Sequence, residues 1–214
     1  MQLALSLAFK FQRRAFQVAS GIVERTWTLA LLYLNNVEFQ DIGTKGVPHV
    51  SISRNSRFRI GSGFRMNNGN RGNPIGRPQA CTFFTGPGAS IVIGNNVGMS
   101  STALIAMSSI VVEDDVKFGG GVCVYDTDFH AQDPTLRRNP VTDRANAKSS
   151  PVVIQKGAFI GAHSTILKGV VIGSDSIVGA CSVVTRSIPP GEIWAGNPAR
   201  FIRKLPLTLE ASPT

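Results

Sequence analysis

The sequence predicts a mainly β fold, a parallel β-solenoid behind an N-terminal helical segment, on three observations. The first is a period of six. Ile154, Ile160, Ile166, Ile172, Val178 and Val184 fall at every sixth position, and glycine follows three of them, at 161, 173 and 179. Six matches neither the 3.6 of a helix nor the 2 of an isolated strand. It is the spacing of a short strand and a tight turn whose copies stack, each burying too little to be stable alone. The second observation is composition: 43% hydrophobic with 22 glycines but only 7% aromatic residues, which suits a thin interior of Ile and Val with small residues at its corners. The third is a polar interruption of about twenty-five residues between Val124 and Val152. So long a departure from a regular stack is a loop with a function more often than an accident of packing.

Taken in order, residues 1–36 form the helical segment. Between 3 and 34, Lys10, Arg13, Arg14, Gln17, Gly21 and Glu24 share one face by 3–4 spacing, and Phe9, Phe16, Val23 and Ala30 share another. Such a helix caps the open end of a solenoid, packs on a partner, or rests on a membrane as a basic amphipathic element. Coiling begins near Val37 and extends to residue 204. Ile60-Gly61 is one good hexad. Residues 67–80, NNGNRGNPIGRPQA, read as a loop. The pattern resumes at Ile91, with Ile93, Met99 and Ile105 six apart; one extra residue then shifts it to Val112, Phe118 and Val124. The excursion covers 125–151. Pro189-Pro190 ends the strand run, Asn197-Pro198 marks a turn before a short terminal helix or tail, and 205–214 is a C-terminal tail.

Charge is uneven. Residues 1–80 hold eleven Lys/Arg against three acids, and residues 81–214 hold eleven against ten. The front of the chain therefore favours an anionic neighbour, such as lipid phosphate or an acidic saccharide. The basic residues are not interleaved with aromatics as in a nucleic-acid module, so no nucleic-acid partner is expected. Cys81, Cys123 and Cys181 are odd in number and widely spaced, which fits a reducing, cytoplasmic location. No apolar run approaches the ~18–20 residues of a membrane span.

The Ile-Gly hexads, the loop holding YDTDFH, and the ending VVTRSIPPGEIWAGNPARFIRK resemble the hexapeptide-repeat acyltransferases of left-handed β-helix fold, and within them the galactoside, maltose, xenobiotic and polysaccharide O-acetyltransferases. The resemblance covers roughly residues 90–205. It implies a left-handed coil, a homotrimer with active sites between subunits, and transfer of acetyl from acetyl-CoA to a hydroxyl of a sugar or lipid-linked saccharide in cell-surface polysaccharide synthesis. His130 falls where the family keeps its catalytic base, and a neutral imidazole is suited to taking a proton from a sugar hydroxyl. A surface histidine bonded to a carbonyl is the plain alternative. Asp126 and Asp128 stand close enough in sequence to orient the ring, to bind the acceptor or only to solvate the loop; Asp126 is the preferred site residue. Carried over position by position, the coenzyme contacts fall on Ala162, Ala180, Thr185, Arg186, Arg200 and Arg203. Trp194 flanks the adenine or caps the interior. Asn67, Asn68 and Asn70 offer amides to acceptor hydroxyls. His163 sits where the family has a small or polar residue, and reads as a corner side chain or a ligand contact.

Three rivals share the scaffold. An N-acyltransferase would use the same base on an amino sugar. A non-catalytic binding or scaffold solenoid would leave the excursion unexplained. A zinc enzyme of the γ-carbonic anhydrase type needs three histidines, two of them close in sequence; His49, His130 and His163 are 81 and 33 residues apart, so no metal is expected.

Overall fold

Three hexads make one coil, and this is why residues six apart serve different faces of one tower. The computed structural model describes residues 2–72 and 78–206. The first coil holds the strands Glu38–Phe39, Ile42–Lys45 and His49–Ile52, and the second holds Arg57–Ile60, Phe64–Asn67 and Thr82–Thr85. Ser90–Ile93, Gly98–Ser100 and Ala103–Ala106 follow, then Ser109–Val112, Lys117–Gly120 and Cys123–Tyr125. Beyond the excursion come Val152–Ile154, Phe159–Ile160 and Thr165–Ile166, and then Val171–Ile172, Ile177–Val178 and Val183–Val184. Each strand pairs in parallel with its counterpart one coil away, giving three sheets of six, eight and six strands, here the first, second and third faces. The fold is the mainly β parallel β-helix that the hexad period predicts.

In the regular region Ile154 stacks on Ile172, Ile160 on Val178 and Ile166 on Val184. All six are fully buried, each contributing about 1.5–3 kcal/mol by removal from water. The glycines have a separate cause. A Cβ on Gly161 would stand 2.5 Å from Ala180 N and 2.6 Å from the Val178 carbonyl, because successive coils approach within about 4.8 Å.

Two expectations are corrected. Ile105 points outward while Leu104 and Ala106 are buried, and Leu104 is the register partner of Phe83 and Val124. The corner before it is one residue shorter than the hexad period demands, and the next is longer. The longer corner is possible because a carboxylate holds its amides, as shown below. The ending also differs: Arg200–Lys204 is a strand, antiparallel to Glu192–Ala195, which covers an edge of the second face. The tail expected at 205–214 lies outside the described residues from 207 on, as does the 73–77 part of the loop expected at 67–80.

Helix α1 spans Gln2–Leu34 and packs through its C-terminal part against the first coil, where Thr28 and Leu32 are fully buried. Helix α2 (Gly69–Gly72) is one turn in the early loop. Helices α3 (Pro134–Arg137) and α4 (Pro140–Asn146) lie in the excursion.

Candidate active site

The excursion folds because its two proline-opened helices are capped. The Asp133 carboxylate accepts from Thr135 N–H, and the Asn139 side-chain amide oxygen accepts from Val141 N–H at 2.9 Å; proline at the first helical position needs no partner for its nitrogen. Helix α4 carries Asp143 inward. His130 Nδ1–H donates to Asp143 Oδ2 at 2.7 Å, and Ala131 N–H donates to Asp143 Oδ1 at 2.7 Å. A carboxylate only accepts, so Nδ1 carries a proton, and in the neutral ring Nε2 keeps its lone pair. The His130 side chain is 66% exposed and Asp143 is nearly buried. The bond from His130, then that from Ala131, hold the Asp143 carboxyl below its ordinary range. Phe129, just before His130, has φ 63°, a rare conformation for a bulky residue and one that recurs at functional sites. Its ring meets Tyr125 edge-on at 5.2 Å.

The excursion leaves the third face after Tyr125 and is tied to a corner on either side. The Asp126 carboxylate accepts from Met107 N–H and Ser108 N–H at 2.7 Å each. Asp128 pairs with Lys168 at 2.8 Å. Between excursion and third face runs a groove of about 570 Å³, with Phe84, Ile105, Tyr125 and Phe129 beside His49, Thr82, Thr127 and Arg144. His130 and Asp143 are not among the groove's lining residues, but each is next in sequence to one, Phe129 and Arg144. Burial pushes the Tyr125 hydroxyl up to about 12, which keeps it a donor at neutral pH.

The residues singled out from sequence separate into groups. Neither Asp126 nor Asp128 orients His130. Asp126 is fully buried and committed to the 107–108 corner, and burial raises its pKa; the orienting carboxylate is Asp143, missed because its thirteen-residue separation hides a contact made only when α4 folds. Asn68 is buried, giving its amide N–H to Thr44 and Lys45 and accepting from Cys81 N–H at 2.7 Å, so its polar atoms are spent on the loop. Asn67 donates to Ser100 Oγ at 3.2 Å, and Asn70 is exposed in α2. Neither lines the groove.

Ala162 and Ala180 stack at the corner where the third-face strands begin: Cys181 N–H donates to the Ala162 carbonyl at 2.8 Å, and a Cβ on Gly119 would stand 2.5 Å from Ala162 N. This leaves a ledge of small residues. His163 occupies the left-handed corner position, φ 61°, matching Cys181 at 57°. Thr185 and Arg186 lie at the opposite corner. The Arg186 guanidinium lies 5.4 Å from the centre of the Trp194 ring, and Trp194 is 9% exposed beside Val178, closing the interior. Arg200 and Arg203 are exposed on the last strand. Among the described residues no three His, Cys, Asp or Glu gather as a metal cage.

Residues 151–186 match the family model described as bacterial transferase hexapeptide (six repeats). The chain is 32% identical to gamma carbonic anhydrase 2, mitochondrial, of Arabidopsis thaliana over 57% of its length and 48% of that protein. It is 33% identical to galactoside O-acetyltransferase of Escherichia coli, over 55% and 56% of the two chains. With the putative lipopolysaccharide biosynthesis O-acetyl transferase WbbJ of Escherichia coli the figures are 34%, 53% and 60%. The matched segment thus spans about half to three fifths of these relatives' lengths. A hexapeptide-repeat acetyltransferase from Vibrio cholerae, solved with acetyl coenzyme A, aligns at 30% identity over 58% of this chain and 65% of its own, with a TM-score of 0.51.

Proposed function

For a chain that carries the transferase hexapeptide repeat on a parallel β-helix, we propose transfer of acetyl from acetyl-CoA to a hydroxyl of a sugar or lipid-linked saccharide, on the cytoplasmic side, in the making of a cell-surface polysaccharide. The observation that carries this reading is the His130–Asp143 pair, carried by an excursion that also lines a saccharide-sized groove. Acetyl-CoA supplies an activated acyl group as a thioester. Asp143 holds the His130 tautomer with Nε2 unprotonated and stabilises the imidazolium that forms. His130 Nε2 takes the hydroxyl proton as the acceptor oxygen bonds to the acyl carbon, and returns it to the departing thiolate as the carbon–sulfur bond breaks. Such a base is worth about 10²–10⁴ in rate.

The acceptor lies in the groove, with Tyr125, Phe129 and Phe84 against its apolar faces and Thr82, Thr127, His49 and Arg144 for its polar groups. Ala162 and Ala180 form the ledge for the coenzyme's extended arm. Thr185, Arg200 and Arg203 meet its polar and phosphate groups, where a guanidinium fork fits well. Arg186 contributes from its stack on Trp194. The excursion leaves the third face of a protomer at one corner and the ledge lies at the other. As in the family the sequence resembles, a complete site would join the ledge of one copy to His130 of another, in a homotrimer with active sites between subunits.

The test is release of free thiol from acetyl-CoA with a panel of glycosides, nucleotide sugars and lipid-linked saccharides, amino sugars included. His130→Ala is expected to lower turnover at least hundredfold with acetyl-CoA binding intact. An alanine variant of full activity overturns the base assignment, and acceptance of amino sugars alone makes the enzyme an N-acyltransferase. One zinc per protomer with carbon dioxide hydration and no thiol release replaces the reading by one like the carbonic anhydrase relative.

A further inference from the structure

From Phe9 to Val23 no side chain of α1 is buried in the core. Contacts with the β-helix come late in the helix and just after it: Thr28 and Leu32 are fully buried, the Glu24 carboxylate accepts from Gly46 N–H at 2.8 Å, and the Asn35 amide oxygen accepts from Ile52 N–H at 3.4 Å. Before them Phe9, Phe11, Val18, Ile22, Val23 and Trp27 are 60 to 77% exposed.

At 3.6 residues per turn, residues 9–30 divide cleanly. Lys10, Arg13, Arg14 and Arg25 fall on the half of the circumference that carries Thr28 toward the β-helix. The opposite half is apolar throughout except for Gln12 and Thr26. The charge is one-sided as well: from residue 9 the helix has no acid before Glu24, which is already bonded to Gly46. Arg25 joins Lys45, Arg65 and the single acid Asp41 around a cleft of about 360 Å³ beside the first coils, which keeps a net positive charge from the helix to the body.

Among the described residues no helix is long and apolar enough to cross a membrane. An apolar half-circumference is wider than a coiled-coil seam. A wide apolar half under a cationic half is the pattern of a helix lying in a membrane interface. We infer that α1 lies in the surface of an anionic bilayer, with Phe11, Val18, Ile22 and Val23 in the acyl boundary, Lys10, Arg13 and Arg14 at the lipid phosphates, and the β-helix held above the membrane. This stands independently of acyl transfer.

The test is sedimentation of the full chain with vesicles of phosphatidylglycerol and phosphatidylcholine, against phosphatidylcholine alone, with no activity readout. Binding is expected to need phosphatidylglycerol and to weaken with salt. Lys10→Gln, Arg13→Gln and Arg14→Gln together should lower it on the order of hundredfold. Phe11→Ser with Val18→Ser should abolish it while leaving the thermal unfolding of the β-helix unchanged. Absence of binding to phosphatidylglycerol at low salt overturns the inference, as does equal binding by both variants. Loss of oligomer mass in the serine variant, with lipid binding retained, assigns the face to another copy of the chain instead.

Discussion

His130 and Asp126 sit in the same six-residue motif, yet they do different work. The imidazole is held by Asp143, and Asp126 turns away to hold two main-chain amides. The distinction is measurable. Asp143→Asn does not favour the tautomer that leaves Nε2 basic, and is expected to lower kcat by about 10²–10⁴ with little change in KM. Asp126→Asn leaves that pair in place but weakens the bonds to Met107 and Ser108, so its expected effect is a stability loss of about 1–3 kcal/mol, read by denaturant unfolding, with turnover largely kept. If the two variants exchanged phenotypes, the roles would have to be exchanged. The sequence offers His130 as a base through the family resemblance, since a lone histidine in a polar loop is by itself as well explained by a surface side chain. Asp143 was not legible, because nothing in its sequence neighbourhood links it to a residue thirteen positions earlier; the nearer acid, Asp126, drew the assignment by proximity alone.

The excursion is an element built from ties rather than from a core, and those ties respond to pH. Asp143 has its pKa lowered by the bonds from His130 and Ala131. A lowered folded-state value means stabilisation that is fully present above the ordinary carboxylate value of 3.8 and lost as pH falls through the depressed one. Amide exchange at Ala131, corrected for intrinsic rate, should therefore stay protected from neutral pH down through that value and rise only below it. Protection lost already between pH 6 and 5 would show that the carboxylate tie does not hold the loop. In the strands the risk is volume. Ile166 is fully buried between Val124 and Val184, and Ile166→Ala should cost about 2–5 kcal/mol, measured as a shift in denaturant midpoint at constant slope. The hexads from Ile154 to Val184 were readable because every corner there keeps the period. The outward turn of Ile105 was not, since one corner is short by a residue and the next is widened around amides that Asp126 satisfies from the following coil.

At the scale of the whole molecule the question is where the two halves of the site meet. On one protomer the small-residue ledge and the exit of the excursion stand at opposite corners of the third face. If the working site joins two copies, protomers carrying His130→Ala mixed with protomers carrying Ala162→Trp, dissociated and reassembled, should recover up to about a third of trimer turnover, although each variant alone is inactive. No recovery in verified mixed trimers would place the entire site within one protomer.

Repetition let the sequence alone determine the parallel β-helix: a branched aliphatic residue every six positions with glycine beside it has one economical packing, and no distant contact is needed to infer it. The same local reading marked the excursion and its histidine. Which carboxylate holds that histidine, which face of the Ala103–Ala106 strand is buried, and how Asn68 and Arg186 are engaged were decided by the tertiary structure. Each depends on atoms brought together across coils or helices, where a hydrogen bond is set by position in space and sequence spacing carries no record of it.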